Sequence, residues 1–369
     1  MREHGCSEDS LFSFLHAKKS EDRGYHRVLS SMCSLPHPVA VRAHMLFLET
    51  NLGDPGLFLG TASLEAMLIA RLGNLLHHPR AAGYATSGGT ESNIQALRIA
   101  KKRAAATSPN VVVPESAHFS FDKACDLLSV EMRTVPSDAQ FRMDADCVQD
   151  AVDRNTIAIV GVAGTTEYGT VDPIEVLSDI AVDRDLLLHV DAAFGGLVLP
   201  FIDGSEPFDF ALPGVASISV DPHKMGLSTI PAGCLLTRDE KTLHLCTVDT
   251  PYLTVKHACT LSGTRPGAPV ASAIAVMDYL GRDGMQAIVA GCMKNTRRLI
   301  AGMETYGYPV AVEPAVNVAA FSCPGVPPGW IVSRTRRGHL RIVCMPHVHR
   351  DVIELFLEAI GEMNAGKTD

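Results

Sequence analysis

Long hydrophobic runs are missing from this 369-residue chain, and none approaches the roughly 18 consecutive apolar residues of a membrane span. No membrane partner is expected. The opening, Met1-Arg-Glu-His-Gly-Cys-Ser-Glu-Asp-Ser10, mixes both charges and has no apolar leader core. Basic residues are in deficit: 32 Lys and Arg stand against 41 Asp and Glu, a formal net charge of −9, which leaves no basic footprint for a nucleic acid. Closely spaced cysteines are absent too. The ten cysteines are scattered with no C-x-x-C pair, as thiols are in a reducing compartment and unlike a disulfide framework or zinc ribbon. Fixed-period repeats and low-complexity tracts are also lacking, which excludes a solenoid. The expectation is a soluble cytoplasmic protein.

What is present is material for a packed core: 46% of residues are hydrophobic and 20% charged, which excludes disorder as the main state. The length fits about two or three domains at roughly 100–200 residues each. Short apolar runs at 111–113, 157–162, 186–190 and 217–220 alternate with segments of helical period at 91–106, 119–129 and 173–184. That alternation predicts a parallel sheet covered by helices. Ile157-Ala-Ile-Val-Gly-Val162, with no polar residue to relieve it, predicts a strand buried on both faces. Residues 270–305 read as two helices meeting near Gly281, 316–321 and 340–343 as strands, and 352–362 as a last helix. The fold expected is α/β, with an N-terminal segment (1–60), a large mostly parallel-sheet domain (61–269) and a smaller C-terminal α+β domain (270–369).

Three motifs carry chemistry. Ser219-Val-Asp221-Pro-His223-Lys224-Met-Gly226 sets a lysine just after an apolar strand. Alone, such a lysine reads as a surface-loop residue; partly desolvated and near other cations, its lowered pKa would let it attack an aldehyde as a Schiff-base nucleophile. Leu186-Leu-Leu-His189-Val190-Asp191 ends a strand on an acid, and Ala192 and Ala193 after it leave room for a flat ring. Asp191 alone reads equally as a strand-end cap, but it also lies where α/β sheets bind ligands. Pyridoxal phosphate needs such a carboxylate, because it works as an electron sink only while its ring nitrogen is held protonated. Thr86-Ser87-Gly88-Gly89-Thr90-Glu91-Ser92-Asn93 is a Gly-rich turn opening a helix. Its free N–H groups and helix dipole suit a phosphate, although similar caps open many ordinary helices.

Together these motifs make the chain resemble the group II pyridoxal-phosphate amino-acid decarboxylases, closest to their archaeal tyrosine/aspartate branch in methanogens. The resemblance covers nearly the whole chain and extends to Glu49–Phe58, Ser116–Ser120, Gly164–Gly169, Val248–Thr254 and Leu340–His347. It implies a fold-type I, pyridoxal-phosphate-dependent transferase-like architecture. It implies that Lys224 holds the cofactor aldehyde, that Asp191 pairs with the ring nitrogen, and that Gly89, Thr90 and His223 hold the phosphate. His118 would stack on the ring, and Thr166, or Thr165, would stand near the ring hydroxyl. Asn51 and Tyr252, in matched segments, are candidates for substrate contacts. Ser262-Gly263-Thr264-Arg265-Pro266-Gly267 resembles the segment that reaches the cofactor phosphate of the neighbouring subunit, which implies a homodimer with shared active sites. The implied reactions are tyrosine to tyramine, on the way to methanofuran, and aspartate to β-alanine, on the way to coenzyme A. Glutamate is a further substrate that this pattern leaves open.

One departure matters. Animal and plant relatives carry a long mobile loop whose tyrosine reprotonates the α-carbon, whereas Val255–Leu261 is short and has no tyrosine. Tyr252, His118 and Lys224 are the candidates for that proton. Arg341, in the apolar run Leu340-Arg341-Ile342-Val343, needs a carboxylate partner, either from the substrate or from a local acid. Competing readings are a pyridoxal-phosphate carbon–carbon lyase, a cysteine desulfurase, and a non-catalytic scaffold. A scaffold would have no chemical need for Asp191, His118 and Lys224 together. Gly361–Thr368 fits the P-loop pattern, but a helix precedes it where a P-loop needs a strand. His77-His78 and His347-Val-His349 lack a third ligand, so no metal is expected.

Overall fold

The computed structural model describes residues 1 and 3–365. Its frame is a sheet of β1 (Ala82–Thr86), β2 (Asn110–Pro114), β3 (Glu131–Val135), β4 (Thr156–Val162), β5 (Leu187–Asp191), β6 (Val215–Val220) and β7 (Gly233–Thr237). The strand order is β1-β7-β6-β5-β4-β2-β3. β7 runs antiparallel to both neighbours and the remaining pairings are parallel. Helices α1 (Glu8–Ser20), α2 (Pro38–Leu46) and α3 (Leu59–Leu75) precede the sheet. Between its strands lie α4 (Gly89–Arg103), α5 (Ser120–Leu128), α6 (Ala145–Ala151) and α7 (Ile174–Asp183). After it come α8 (Glu240–His244), the short ribbon β8 (Val248–Asp249) and β9 (His257–Ala258), and α9 (Ala268–Thr305).

β4 is buried at all seven positions, as its unrelieved apolar run predicted. On one face Leu97, Val111, Phe121 and Val160 pack beneath α4 and α5. On the other, Leu72, Leu177, Val190 and Ile274 pack with α3, α7 and α9. Each such side chain contributes about 1.5–3 kcal/mol by leaving water.

A second sheet, ordered β10 (Val318–Phe321), β12 (Leu340–Val343), β11 (Ser333–Arg334), packs with α10 (Arg350–Ala365). Leu29, Leu299, Met303, Phe321, Ile342 and Phe356 form its core. α9, which begins where the smaller domain is expected, serves both cores, since Val270, Ile274, Met285 and Val289 belong to the large one. Its path breaks at Gly281 (φ 61°, ψ −169°), the break the sequence predicts. The P-loop lookalike starts inside α10 at Gly361, and its Gly366, Lys367 and Thr368 lie outside the described residues. Among the described residues, no helix is long and apolar enough to cross a membrane.

Candidate active site

Strand register brings the chemistry to one edge. Val162 pairs with Asp191 and Asp191 with Ser219, so the segments leaving β4, β5 and β6 start side by side at the strands' carboxyl ends. A cavity of about 250 Å³ opens there, and Gly89, Thr90, His118, Thr166, Asp191, Ala193, His223 and Lys224 all line it. Gly88 has φ 142°, where side chains are strained, and a Cβ on it would lie 3.2 Å from the His223 ring. A Cβ on Gly89 would lie 3.1 Å from Ala193 and 3.2 Å from Asp221. The two glycines therefore keep the cavity wall open where the first turn of α4 presents its N–H groups.

Lys224 Nζ lies 3.1 Å from Asp221 Oδ2. Burial by itself would depress the ammonium, but Asp221 and Asp191 outweigh it and hold Lys224 above its ordinary value. The expected setting, a lysine lowered by nearby cations, is not what surrounds this amine; its neighbours are carboxylates. His223 is fixed by Nδ1, 2.6 Å from the Ala232 carbonyl, and its Nε2 lies 3.8 Å from Asp221. Burial pushes this imidazole below its ordinary value.

Asp191 accepts from Asn93 Nδ2 at 2.8 Å, Ser219 Oγ at 3.1 Å and the Ala193 N–H at 3.1 Å. A carboxylate has about four lone-pair directions, so one is left for whatever enters the cavity. Behind it, His189 Nε2 lies 3.0 Å from Asn93 Oδ1 and His189 Nδ1 lies 2.9 Å from Ser217 Oγ. His118 Nδ1 accepts from the Ser120 N–H at 3.2 Å, which leaves the proton of the neutral ring on Nε2. Burial also lowers its pKa.

The substrate candidates stand apart from that cavity. Arg341 is buried in β12; it donates to the Thr166 carbonyl, to Ser30 O at 2.9 Å and to Ser333 Oγ at 3.1 Å. Its Nη2 is buried without a partner, and burial pushes the guanidinium down to about 10. Among the described residues, no carboxylate pairs with it. Asn51 Oδ1 accepts from the N–H groups of Gly53 and Arg265, a turn-forming role. Tyr252 is 87% exposed on the hairpin between β8 and β9. Ser262 bonds Glu91 of the same chain at 2.7 Å, against the glycine turn. Thr165 is buried against Thr170, away from the cavity. His77 pairs with Asp209, His78 with the Arg238 carbonyl, and His347 with Ser34 and the Val28 carbonyl.

Asp221, Asn93 and His189 were not singled out from sequence. A signal existed for the last: His189 and Asp191 are polar at i and i+2 of an apolar strand, hence on one face. Ser217 and Ser219 repeat that spacing on β6, directly opposite them.

These features fit pyridoxal phosphate in each of its parts. The open N-terminus of α4 suits the phosphate, Lys224 the aldehyde, and the spare acceptor direction of Asp191 a ring N–H. Fold and cavity thus define a class, the fold-type I pyridoxal-phosphate enzymes. The model of the pyridoxal-dependent decarboxylase conserved domain matches residues 60–321, and the chain belongs to that family, the amino-acid carboxy-lyases that use pyridoxal phosphate. A probable L-tyrosine/L-aspartate decarboxylase of Methanoculleus marisnigri is 69% identical over 365 residues, 99% of this chain and 100% of the relative. A probable L-aspartate decarboxylase of Archaeoglobus fulgidus is 49% identical over 352 residues, 93% of this chain and 96% of its own. Among solved structures, the sphingosine-1-phosphate lyase of Burkholderia pseudomallei K96243 superposes with a TM-score of 0.91 at 29% identity, covering 98% of this chain and 91% of that one. A glutamate decarboxylase of Lactobacillus brevis shares the fold at TM-score 0.90 and 21% identity, covering 98% and 93%.

Proposed function

We propose that this chain decarboxylates L-tyrosine to tyramine, L-aspartate to β-alanine, or both, in the cytoplasm and as a homodimer. The observation that carries the substrate choice is the near full-length identity to relatives named for those two amino acids. The ten scattered cysteines, with no C-x-x-C pair among them, support the compartment. The tyramine would feed methanofuran and the β-alanine coenzyme A.

Bound pyridoxal phosphate supplies an aldehyde and an electron sink for the carbanion left when CO₂ departs. Lys224 would hold the aldehyde through Nζ once the proton that Asp221 and Asp191 favour on that nitrogen has left it. The N–H groups of Gly89 and Thr90, with His223, would hold the phosphate at the positive end of α4. Asp191, kept in one orientation by three donors, presents its remaining acceptor direction to a cationic N–H. His118, which lines the cavity, would stack on the cofactor ring. Arg341 does not itself line the cavity, but it holds the carbonyl of Thr166, which does, and its Nη2 is left without a partner; both support a role near the substrate carboxylate.

The test is incubation of the cofactor-loaded protein with tyrosine, aspartate, glutamate and cysteine, with amine products identified by mass spectrometry. Tyramine or β-alanine is the expected product, and the absence of both overturns the substrate assignment. Borohydride reduction should fix the cofactor on the Lys224 peptide; a label on another lysine overturns the site.

A further inference from the structure

Behind Asp191 lies a line of polar side chains in an otherwise apolar interior: Asn93, His189 and Ser217, at 1%, 2% and 6% exposure. Chemistry fixes the direction of every bond in it. The carboxylate of Asp191 accepts, so the group 2.8 Å away must be the Asn93 amide nitrogen, which also reaches Ser120 Oγ at 3.0 Å. The Asn93 oxygen is thereby turned toward His189 Nε2 at 3.0 Å, and since an amide oxygen only accepts, the imidazole proton is on Nε2. Burial holds the His189 imidazole at about 4, so the ring is neutral and its Nδ1 accepts from the Ser217 hydroxyl at 2.9 Å. Donation runs one way, from Ser217 through His189 and Asn93 to Asp191, and bonds aligned in this manner polarise one another.

We propose that His189, acting through Asn93, is a positioning residue that sets how strongly Asp191 holds a proton on the cofactor's ring nitrogen. A charged imidazolium in that place would draw the carboxylate's negative charge away from the cavity. A neutral ring supplies a donor and leaves the charge free to face the cofactor. Register makes the arrangement specific, because His189 pairs with Ser217 and Asp191 with Ser219 across β5 and β6. The apolar ring of Phe121, 6.2 Å from His189, helps keep water out of the line.

The inference rests on the reading of Asp191 given above, and the experiment separates the two. Protein loaded with pyridoxal phosphate carrying ¹⁵N in its ring is compared by solid-state NMR as wild type, Asp191→Ala, His189→Leu, His189→Gln and Ser217→Ala. Wild type should show a protonated ring nitrogen and Asp191→Ala a neutral one; failure of either overturns the role of Asp191 and the relay with it. His189→Leu should move the resonance toward neutral pyridine and lower kcat about tenfold with KM little changed, the lower end of what losing an outer-shell partner costs. His189→Gln, which restores a donor to Asn93, should return both toward wild type. Ser217→Ala should move the resonance in the same direction but less. A folded, cofactor-loaded His189→Leu with the wild-type resonance overturns the relay while leaving Asp191 in place. If that variant does not fold, an unmoved resonance in Ser217→Ala overturns it, and a displaced one supports it.

Discussion

The two oxygens of the Asp221 carboxylate are in different situations: Oδ2 faces Lys224, while Oδ1 is buried without a hydrogen-bond partner. The residue keeps its place in a water-poor site because an ammonium stands beside it, and it raises the pKa of that ammonium in return. Replacing Asp221 with Asn removes a cause that raises Lys224. The free amine is the reactive form, so a lower pKa makes more of it available at neutral pH. The rate at which the cofactor-free protein captures pyridoxal phosphate should increase about tenfold for each pH unit by which its midpoint falls. Stopped-flow absorbance across pH 6–10 reads this directly, and a pH profile that does not move would overturn the pairing. The residue stands inside the motif from which Lys224 was read, but sequence spacing alone cannot say that two side chains three positions apart in a turn face each other.

At the scale of elements, α9 offers the sharpest test of local conformation. Gly281 sits at φ 61°, ψ −169°, a region that is nearly reserved for glycine, and no heavy atom lies within 4 Å of where its Cβ would be. Gly281→Ala therefore meets no steric obstacle, and its cost is confined to the backbone, about 1–3 kcal/mol. Denaturant unfolding should show that loss, and an unchanged midpoint would refute the backbone account. This break was legible because an apolar helical period stops at a glycine and resumes after it. β4 was legible because a strand buried on both faces has no polar relief over 157–162, and its run of letters is nearly its length; β5, β6 and β12 were legible as short apolar runs although His189, Asp191, Ser217, Ser219 and Arg341 interrupt them. The antiparallel direction of β7 was not, since Gly233–Thr237 reads the same in either direction and is fixed by its pairing with β1 and β6. In the site, Lys224, Asp191 and the glycine turn could be read because each breaks a local pattern. Asn93 lies on a helix face whose orientation only the packed sheet determines, and Arg341 was legible as a buried cation although two of its partners, Ser30 and Thr166, come from distant stretches of chain and the third, Ser333, from the neighbouring strand.

Among the described residues, two stretches carry clusters of exposed apolar side chains. α1 buries none of its 13 residues, and Leu11, Phe12, Phe14 and Leu15 are each at least 43% exposed along it. A helix of this length is marginal in water unless an apolar face is packed. Met45, Leu46, Leu48, Leu57 and Leu59, at the end of α2, in the loop that follows and at the start of α3, are 60–74% exposed. That loop is tied to the ribbon carrying Tyr252, through Thr254 to Asp54 and from the Gly56 N–H to Thr254 Oγ1 at 3.1 Å. A second copy of the chain packed on these stretches would put Asn51 and Tyr252, both outside the cavity of their own subunit, close to the interface. Burying Phe14 and Leu15 at such an interface contributes about 1.5–3 kcal/mol each. Changing both to Asp should then raise the dimer dissociation constant by roughly 10²–10⁴-fold, at about 1.4 kcal/mol per factor of ten. Analytical ultracentrifugation measures this, and under the shared-site proposal specific activity should fall on dilution at the concentration where the variant dissociates. Wild-type protein that sediments as a monomer at micromolar concentration, with full activity, would rule the shared site out.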